Sequence, residues 1–273
     1  MEIIRGVEEM AERARVWRRA GEEVGFVPTM GYLHRGHVSL MALARPRCSR
    51  LVVSIYVNPL QFAPTEDLGR YPRDPEGDAA QCAGVGCDVL FMPEQLYPPG
   101  FRTTVHVRDL TARWEGAMRP DHFDGVSTVV ARLFGLVQPT LAVFGEKDYQ
   151  QLAVVRAMVR DLALPTEIVP GPLVRDADGL ALSSRNVYLS PKLRRRALSL
   201  HRALHAIRDH NAPLAERLVL GRSLIDADAI DYLAIVDADS LEPVEALAPG
   251  QVARAVVAAR YGNTRLLDNV AVG

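Results

Sequence analysis

The run LVVSIYVNP, residues 51–59, is apolar almost from end to end and rich in β-branched side chains. A strand with water on one face alternates apolar and polar residues. A run without alternation fits a strand covered on both faces, as happens where helices close both sides of a parallel sheet. The flanking sequence repeats that logic. In residues 7–20, Val7, Met10, Ala14 and Trp17 fall near helical spacing, VGFVPTM is a short strand, and HVSLMALARPRC is a helix ended by Pro46. DPEGDAAQCAGVG then reads as a helix, CDVLFMP as a strand, TTVHVRD as a candidate fourth strand and FDGVSTVVARLFGLVQP as a strongly apolar helix. TLAVFGE reads as a strand, KDYQQLAVVRAMVRDLAL as a long helix and PTEIVPGPLVRD as a strand. Strands alternating with helices from residue 24 to about 174 predict an α/β fold, a doubly wound, Rossmann-like parallel sheet.

After VRDADGL the texture changes. SPKLRRRALSLHRALHAIRDHN is a charged helix, and DYLAIVDADSLEPVEAL, QVARAVVAARYG and a short TRLLDNVAV supply strands. They predict a smaller α+β C-terminal domain, with expected limits of 1–174 and 175–273. The second domain looks short between Asn211 and Asp231, which leaves its detailed shape open.

Composition narrows the function classes. A net charge of −1 and a pI near 6.7 give no basic field for nucleic acid or an anionic membrane. No apolar run is long enough to span a bilayer, and the N-terminus has no apolar core of a signal peptide. Cys48, Cys82 and Cys87 lack zinc-ligand spacing and read as reduced structural thiols of a cytoplasmic protein.

The chemistry concentrates where strands turn into helices. In an open α/β sheet a ligand binds beyond the carboxyl ends of the strands. VPTMGYLHRGH lies at such an end. Gly31 and Gly36 let the backbone approach a ligand, and a helix starting near Gly36–His37 would offer free amide N–H groups to an anion. His34 and His37, three apart, can both face that anion as hydrogen-bond donors. FGEKDYQQL places Gly145, Glu146, Lys147 and Asp148 at another strand end, with Gln151 one helical turn beyond Lys147. GLALSSRNVYLS sets Ser183, Ser184 and Arg185 in a row, hydroxyls and a guanidinium suited to pyrophosphate oxygens. Each string alone is weak; together they point to an ATP site.

VPTMGYLHRGH, VNPLQF, RYPRD, RPDHFDGVSTVV, FGEKDYQQL and LALSSRNVYLSP, in this order, resemble the pantothenate synthetase (pantoate–β-alanine ligase) family of the H-x-G-H nucleotidyltransferases. The resemblance weakens after about residue 205. It implies an enzyme that joins pantoate to β-alanine with ATP through a pantoyl adenylate, releasing AMP and pyrophosphate. It further implies that Met30, Gly31, Tyr32, Leu33, His34, Arg35, Gly36 and His37 line the nucleotide, with His34, His37, Lys147 and Arg185 catalytic. By the same resemblance Gly145, Glu146, Lys147, Asp148 and Val174 hold ribose, phosphate and adenine. Leu182, Ser183, Ser184 and Arg185 hold the outgoing phosphates. Gln61 and Gln151 match the amides that bind pantoate, with Asn58, Met30, Tyr71 and Arg119 completing that pocket. Mg²⁺ is implied by the ATP chemistry, with no ligand named beyond a candidate Asp78. A homodimer is implied too.

Two positions depart from the family pattern: Leu182 stands where methionine is common, and Arg35 where glutamate is common and the side chain is expected to face solvent. PTEDLGRYPRD, residues 64–74, is rich in proline, glycine and charge and suits a lid. His201 and His205, four apart without a third ligand, read as an exposed helix face, and KLRRR (192–196) as a solvated one. Three rivals remain. A transferase of AMP or CMP to a phosphorylated acceptor needs basic residues where this chain has glutamines. A nucleic-acid-binding module needs a basic face. A non-catalytic ATP-binding regulator sits poorly with every expected catalytic position being filled.

Overall fold

The computed structural model of the chain describes residues 1–64 and 66–273. Thr65, part of the expected lid segment, lies outside the described residues. The chain divides into two compact units, Met1–Glu146 with Gln151–Pro172, and Lys147–Gln150 with Leu173–Gly273.

The first unit is built from β1 (Glu2–Ile4), α1 (Val7–Arg19), β2 (Val24–Thr29), α2 (Arg35–Ala44), β3 (Arg50–Ile55), α3 (Pro75–Gly84), β4 (Val89–Phe91), α4 (Glu115–Met118), α5 (His122–Val137), β5 (Leu141–Gly145), most of α6 (Tyr149–Asp161) and β6 (Glu167–Gly171). Six strands pair in the order β1-β4-β3-β2-β5-β6, all in parallel. The expectation from residues 51–59 holds for the first part of the run: Leu51, Val52 and Val53 are fully buried, but the strand ends at Ile55. Successive residues face opposite layers. Val27 packs among the side chains of α2 and α3, while Phe26 meets Phe134 of α5 edge-on at 6.2 Å. Full burial of each such side chain contributes about 1.5–3 kcal/mol.

Two expectations needed correction. TTVHVRD forms no strand; the Val105 N–H donates to the Thr128 hydroxyl of α5 rather than to a neighbouring strand. The edge strand β1, only three residues of which one is buried, was not foreseen. Its Ile4 is anchored by parallel pairing to Phe91, a long-range partner that no local pattern reveals.

The sheet order carries functional meaning. From β2 the chain winds outward through β3 and β4, then returns to place β5 on the other side of β2. The crevice between the carboxyl ends of β2 and β5 is the switch point where such sheets bind ligands.

The second unit has an antiparallel sheet of β7 (Ala229–Asp237), β8 (Ala253–Tyr261) and β9 (Thr264–Val272), with α7 (Pro191–Asp209) and α8 (Leu214–Leu224). β9 covers the residues expected for it, TRLLDNVAV. α8 occupies the stretch that sequence left undefined. It buries only Leu214 and Gly221 and leaves Val219 exposed, so no apolar stripe marked it. Gly221 lets it lie against α7, since a Cβ there would collide with Ile207. Arg194 pairs with Asp176 and Asp178, and Arg196 with Asp226 and Asp228, so the basic run of α7 is answered by local acids. His201 and His205 are half-buried instead of exposed, with ring centroids 4.0 Å apart and His201 against Gly179.

Candidate active site

The turn after β2 is wound tightly. Gly31 has φ +83° and Tyr32 φ +51°, a conformation that costs a non-glycine residue energy unless its surroundings hold it. Asp78 of α3 supplies the hold. Its carboxylate accepts the N–H of Tyr32 at 2.9 Å and that of Leu33 at 2.6 Å. Gln81, one helical turn on, donates to the Leu33 carbonyl at 3.0 Å. A Cβ on Gly31 would sit 2.9 Å from Ile55 Cγ2 and 3.0 Å from the Asp78 carboxylate, so glycine is needed there twice over. Burial pushes the Asp78 carboxyl up, and the two amide bonds pull it back. Asp78, the candidate Mg²⁺ ligand, thus uses both oxygens to fix the turn.

α2 begins at Arg35, and the two histidines cap it reciprocally. His34 Nδ1 accepts the Gly36 N–H at 3.2 Å, and His37 Nδ1 accepts the His34 N–H at 3.3 Å. The N–H groups of His37 and Val38 both donate to the His34 carbonyl. The first-turn amides of Gly36, His37 and Val38, expected to be free for an anion, therefore have partners within the turn. With Nδ1 accepting, a neutral ring carries its proton on Nε2, so each imidazole can donate from that nitrogen. The ring centroids lie 4.1 Å apart. The Arg35 side chain is exposed, as expected.

A second cluster of the first unit surrounds Gln61. Asn58 Nδ2 donates to Gln61 Oε1 at 3.1 Å and to the Gly125 carbonyl at 3.0 Å. Gln61 Nε2 points at Met30 Sδ, 3.2 Å away. Tyr71 is buried with its ring edge-on to Phe62. Gln151 lies half-buried on the first turn of α6. Arg119, expected to line the pocket, has each guanidinium nitrogen already bonded. Nε and Nη2 reach the Glu66 carboxylate at 2.6 and 2.8 Å, and Nη1 reaches His122 Nε2 at 3.0 Å. His122 was not singled out from sequence, where a lone histidine carries no pattern; the available signal was its place three residues before Gly125 in HFDG. Tyr97, whose hydroxyl donates to Asn58 Oδ1 at 2.9 Å, was likewise missed.

In the second unit Lys147 Nζ pairs with Asp148 Oδ1 at 3.1 Å. The Lys147 carbonyl accepts from Asn269, which is gripped in turn by Arg254. Arg254 lies 4.0 Å over the Tyr149 ring, and the Tyr149 hydroxyl donates to the Ala238 carbonyl. The turn from 147 to 149 is thus stapled to the small sheet. The Leu182 N–H donates to the Val174 carbonyl at 3.0 Å. Ser183 caps the short 3₁₀ turn Ser184–Tyr188 by accepting the Arg185 N–H. Its hydroxyl proton is still able to donate to an incoming oxygen.

Among the described residues, no group of three His, Cys, Asp or Glu is arranged to hold a metal ion, and no helix is long and apolar enough to cross a membrane.

A parallel sheet whose β2–α2 turn is wound by His-x-Gly-His, with the switch point beside it, defines an α/β protein of the nucleotidyltransferase class. Residues 2–271 match the family model for pantoate-β-alanine ligase. Pantothenate synthetase of Thermus thermophilus is 54% identical over 98% of this chain and 99% of its own, and that of Moorella thermoacetica is 51% identical over 99% and 98%. The crystal structure of the Thermus thermophilus enzyme superposes with a TM-score of 0.92 at 52% identity, covering 99% of each chain. The ligase of Francisella tularensis, complexed with β-γ ATP and β-alanine, gives 0.83 at 31% identity over 99% of this chain and 97% of its own. The chain belongs to the pantoate–β-alanine ligase family.

Proposed function

We propose that this enzyme condenses pantoate with β-alanine at the expense of ATP, releasing AMP and pyrophosphate. A pantoate carboxylate oxygen attacks the α-phosphorus, and the bond to the bridging oxygen of pyrophosphate breaks. The β-alanine amine then attacks the acyl carbon of the pantoyl adenylate, loses a proton and expels AMP. The two relatives' names and the ligands of the Francisella tularensis complex support the substrates.

The residue roles follow from charge. The α-phosphate gains negative charge as it is attacked, and donors fixed in advance stabilise it without reorganising. His34 and His37 are such donors, and the reciprocal cap that puts both protons on Nε2 is the observation that carries this reading. Lys147 and Arg185 supply cations for the remaining phosphate oxygens, and Ser183 and Ser184 supply hydroxyl donors. Gly145, Asp148 and the main chain at Val174 take ribose and adenine. Gln61 and Gln151 orient the pantoate carboxylate through neutral amides. An arginine bonded directly to it would lower its nucleophilicity. Pro28, Met30, Val126, Val129, Val130 and Phe144 offer an apolar surface for the gem-dimethyl group.

The described residues form no cage for Mg²⁺. An ion that keeps its waters and binds substrate phosphates would enter with the nucleotide. The reading includes a cytoplasmic homodimer; three free cysteines, with the Cys87 thiol donating to the Leu51 and Val89 carbonyls, suit a reducing compartment.

The decisive test is AMP formation that requires both pantoate and β-alanine, beside exchange of labelled pyrophosphate into ATP with pantoate alone. AMP release without either substrate, or exchange only when β-alanine is present, defeats the two-step reading.

A further inference from the structure

We propose that His122 is a positioning residue for the amide of Gln61, holding the Gln61 turn by its main-chain carbonyl while Tyr97, through Asn58, sets which end of the amide faces the substrate. The proposal rests on Gln61 being a pantoate ligand, as read above.

The main-chain end comes first. His122 Nδ1 lies 2.9 Å from the Gln61 carbonyl. A carbonyl only accepts, so Nδ1 carries the proton. Arg119 Nη1 lies 3.0 Å from His122 Nε2. A guanidinium only donates, so Nε2 carries none. Two independent partners therefore dictate the same neutral tautomer. Burial, with the Arg119 charge beside it, lowers the imidazole to about 4, which agrees with that state. Arg119 is itself pinned by two bonds to Glu66, and its Nη2 also reaches the Gln61 carbonyl at 3.4 Å. The turn has no slack against α5, because a Cβ on Gly125 would collide with the Leu60 carbonyl.

The side-chain end is fixed from the opposite direction. Asn58 Oδ1 accepts from the Tyr97 hydroxyl at 2.9 Å and from the Leu60 N–H at 3.3 Å, while its Nδ2 donates to the Gly125 carbonyl. Flipping Asn58 would set a donor against the Leu60 N–H. Since Asn58 cannot flip, Gln61 cannot either: its Oε1 accepts from Asn58, and a reversed amide would oppose two NH₂ groups at 3.1 Å. Gln61 Nε2 is thereby committed as a donor. Its partner in the structure is the Met30 thioether, a weak acceptor that a carboxylate or hydroxyl oxygen outcompetes. The clamp thus selects an acceptor substrate and repels one that presents N–H groups.

The test uses His122→Ala, His122→Asn, Tyr97→Phe and Gln61→Ala in the full-length enzyme. The readouts are pantoate KM in pyrophosphate exchange, the ATP dissociation constant and the melting temperature. Loss of a positioned hydrogen bond predicts a pantoate KM raised about tenfold in His122→Ala and several-fold in Tyr97→Phe, with ATP affinity unchanged. His122→Asn keeps an N–H donor for the Gln61 carbonyl and should return KM to within about threefold of the parent. A purely structural histidine would lower stability and spare pantoate KM in the folded fraction. A folded His122→Ala with normal pantoate KM, a folded His122→Asn that fails to rescue, or Tyr97→Phe with unchanged KM overturns the proposal. Should His122→Ala not fold, His122→Asn decides for the histidine, since a raised pantoate KM in that folded variant overturns the proposal, and Tyr97→Phe decides for the Asn58 end. If Gln61→Ala leaves pantoate KM untouched, the reading of Gln61 as a ligand is what fails.

Discussion

The His34 N–H donates to Nδ1 of His37 at 3.3 Å, so the second histidine of the turn caps the first while its own proton sits on Nε2. Two functions therefore share one ring, and substitution can separate them. His37→Ala should cost about 1 kcal/mol of stability, the worth of a helix cap, whereas His37→Asn restores the acceptor and most of that loss. Both should slow single-turnover adenylate formation by about 10²–10³, because neither offers a donor at the Nε2 position. Rapid-quench assays beside melting curves check this; near-normal adenylation by either folded variant would remove His37 from the chemistry. His34→Ala should behave similarly and lose some ATP affinity as well.

Gln61→Ala and Gln151→Ala should impair pantoate use and leave ATP binding intact. Each change removes a hydrogen bond to a charged group, worth about 1.5–3 kcal/mol. Pantoate KM and ATP affinity measured by calorimetry give the comparison. Weakened ATP binding with normal pantoate KM would reassign the pocket.

Asp78→Asn tests the hold on the turn. One of its two oxygens becomes an NH₂ group facing a backbone N–H, in a buried setting. The cost should be about 1–3 kcal/mol, a fall of several degrees in Tm, with adenylation slowed because His34 follows directly on the loosened residues. If Asp78→Asn melted like the parent, Tyr32 would be held by something other than this carboxylate.

His122 sets a pH dependence whose sign is fixed. The folded ring stays neutral down to about pH 4, whereas in the unfolded chain it protonates near 6.5. Between those values the unfolded state binds more protons, so stability falls as pH falls through that window. The loss attributable to this group is about 3 kcal/mol at its limit. Denaturant unfolding at pH 7 and pH 4.5 should therefore show a smaller acid loss in His122→Asn than in the parent. Equal losses in both would mean that the buried ring is not what titrates.

The parallel sheet was legible because Leu51 to Val53 admit no exposed face, and helix α5 because its apolar residues exceed one stripe. TTVHVRD misled because alternation and β-branching describe an extended chain equally well whether or not a neighbouring strand is in reach. α8 stayed hidden because its docking runs through Gly221, and glycine leaves no apolar signal.

By itself the sequence determined the order of most strands and helices and the placing of two chemistry-bearing turns at strand ends. Periodicity and turn residues are local properties, readable over ten or twenty positions. Tertiary structure alone decided that Asp78, in a separate helix, secures Tyr32 and Leu33, that His122 meets the Gln61 carbonyl, and that Tyr97 meets Asn58. Those outcomes depend on which buried donors and acceptors meet once the sheet closes. A buried polar group must find a partner wherever in the chain it lies.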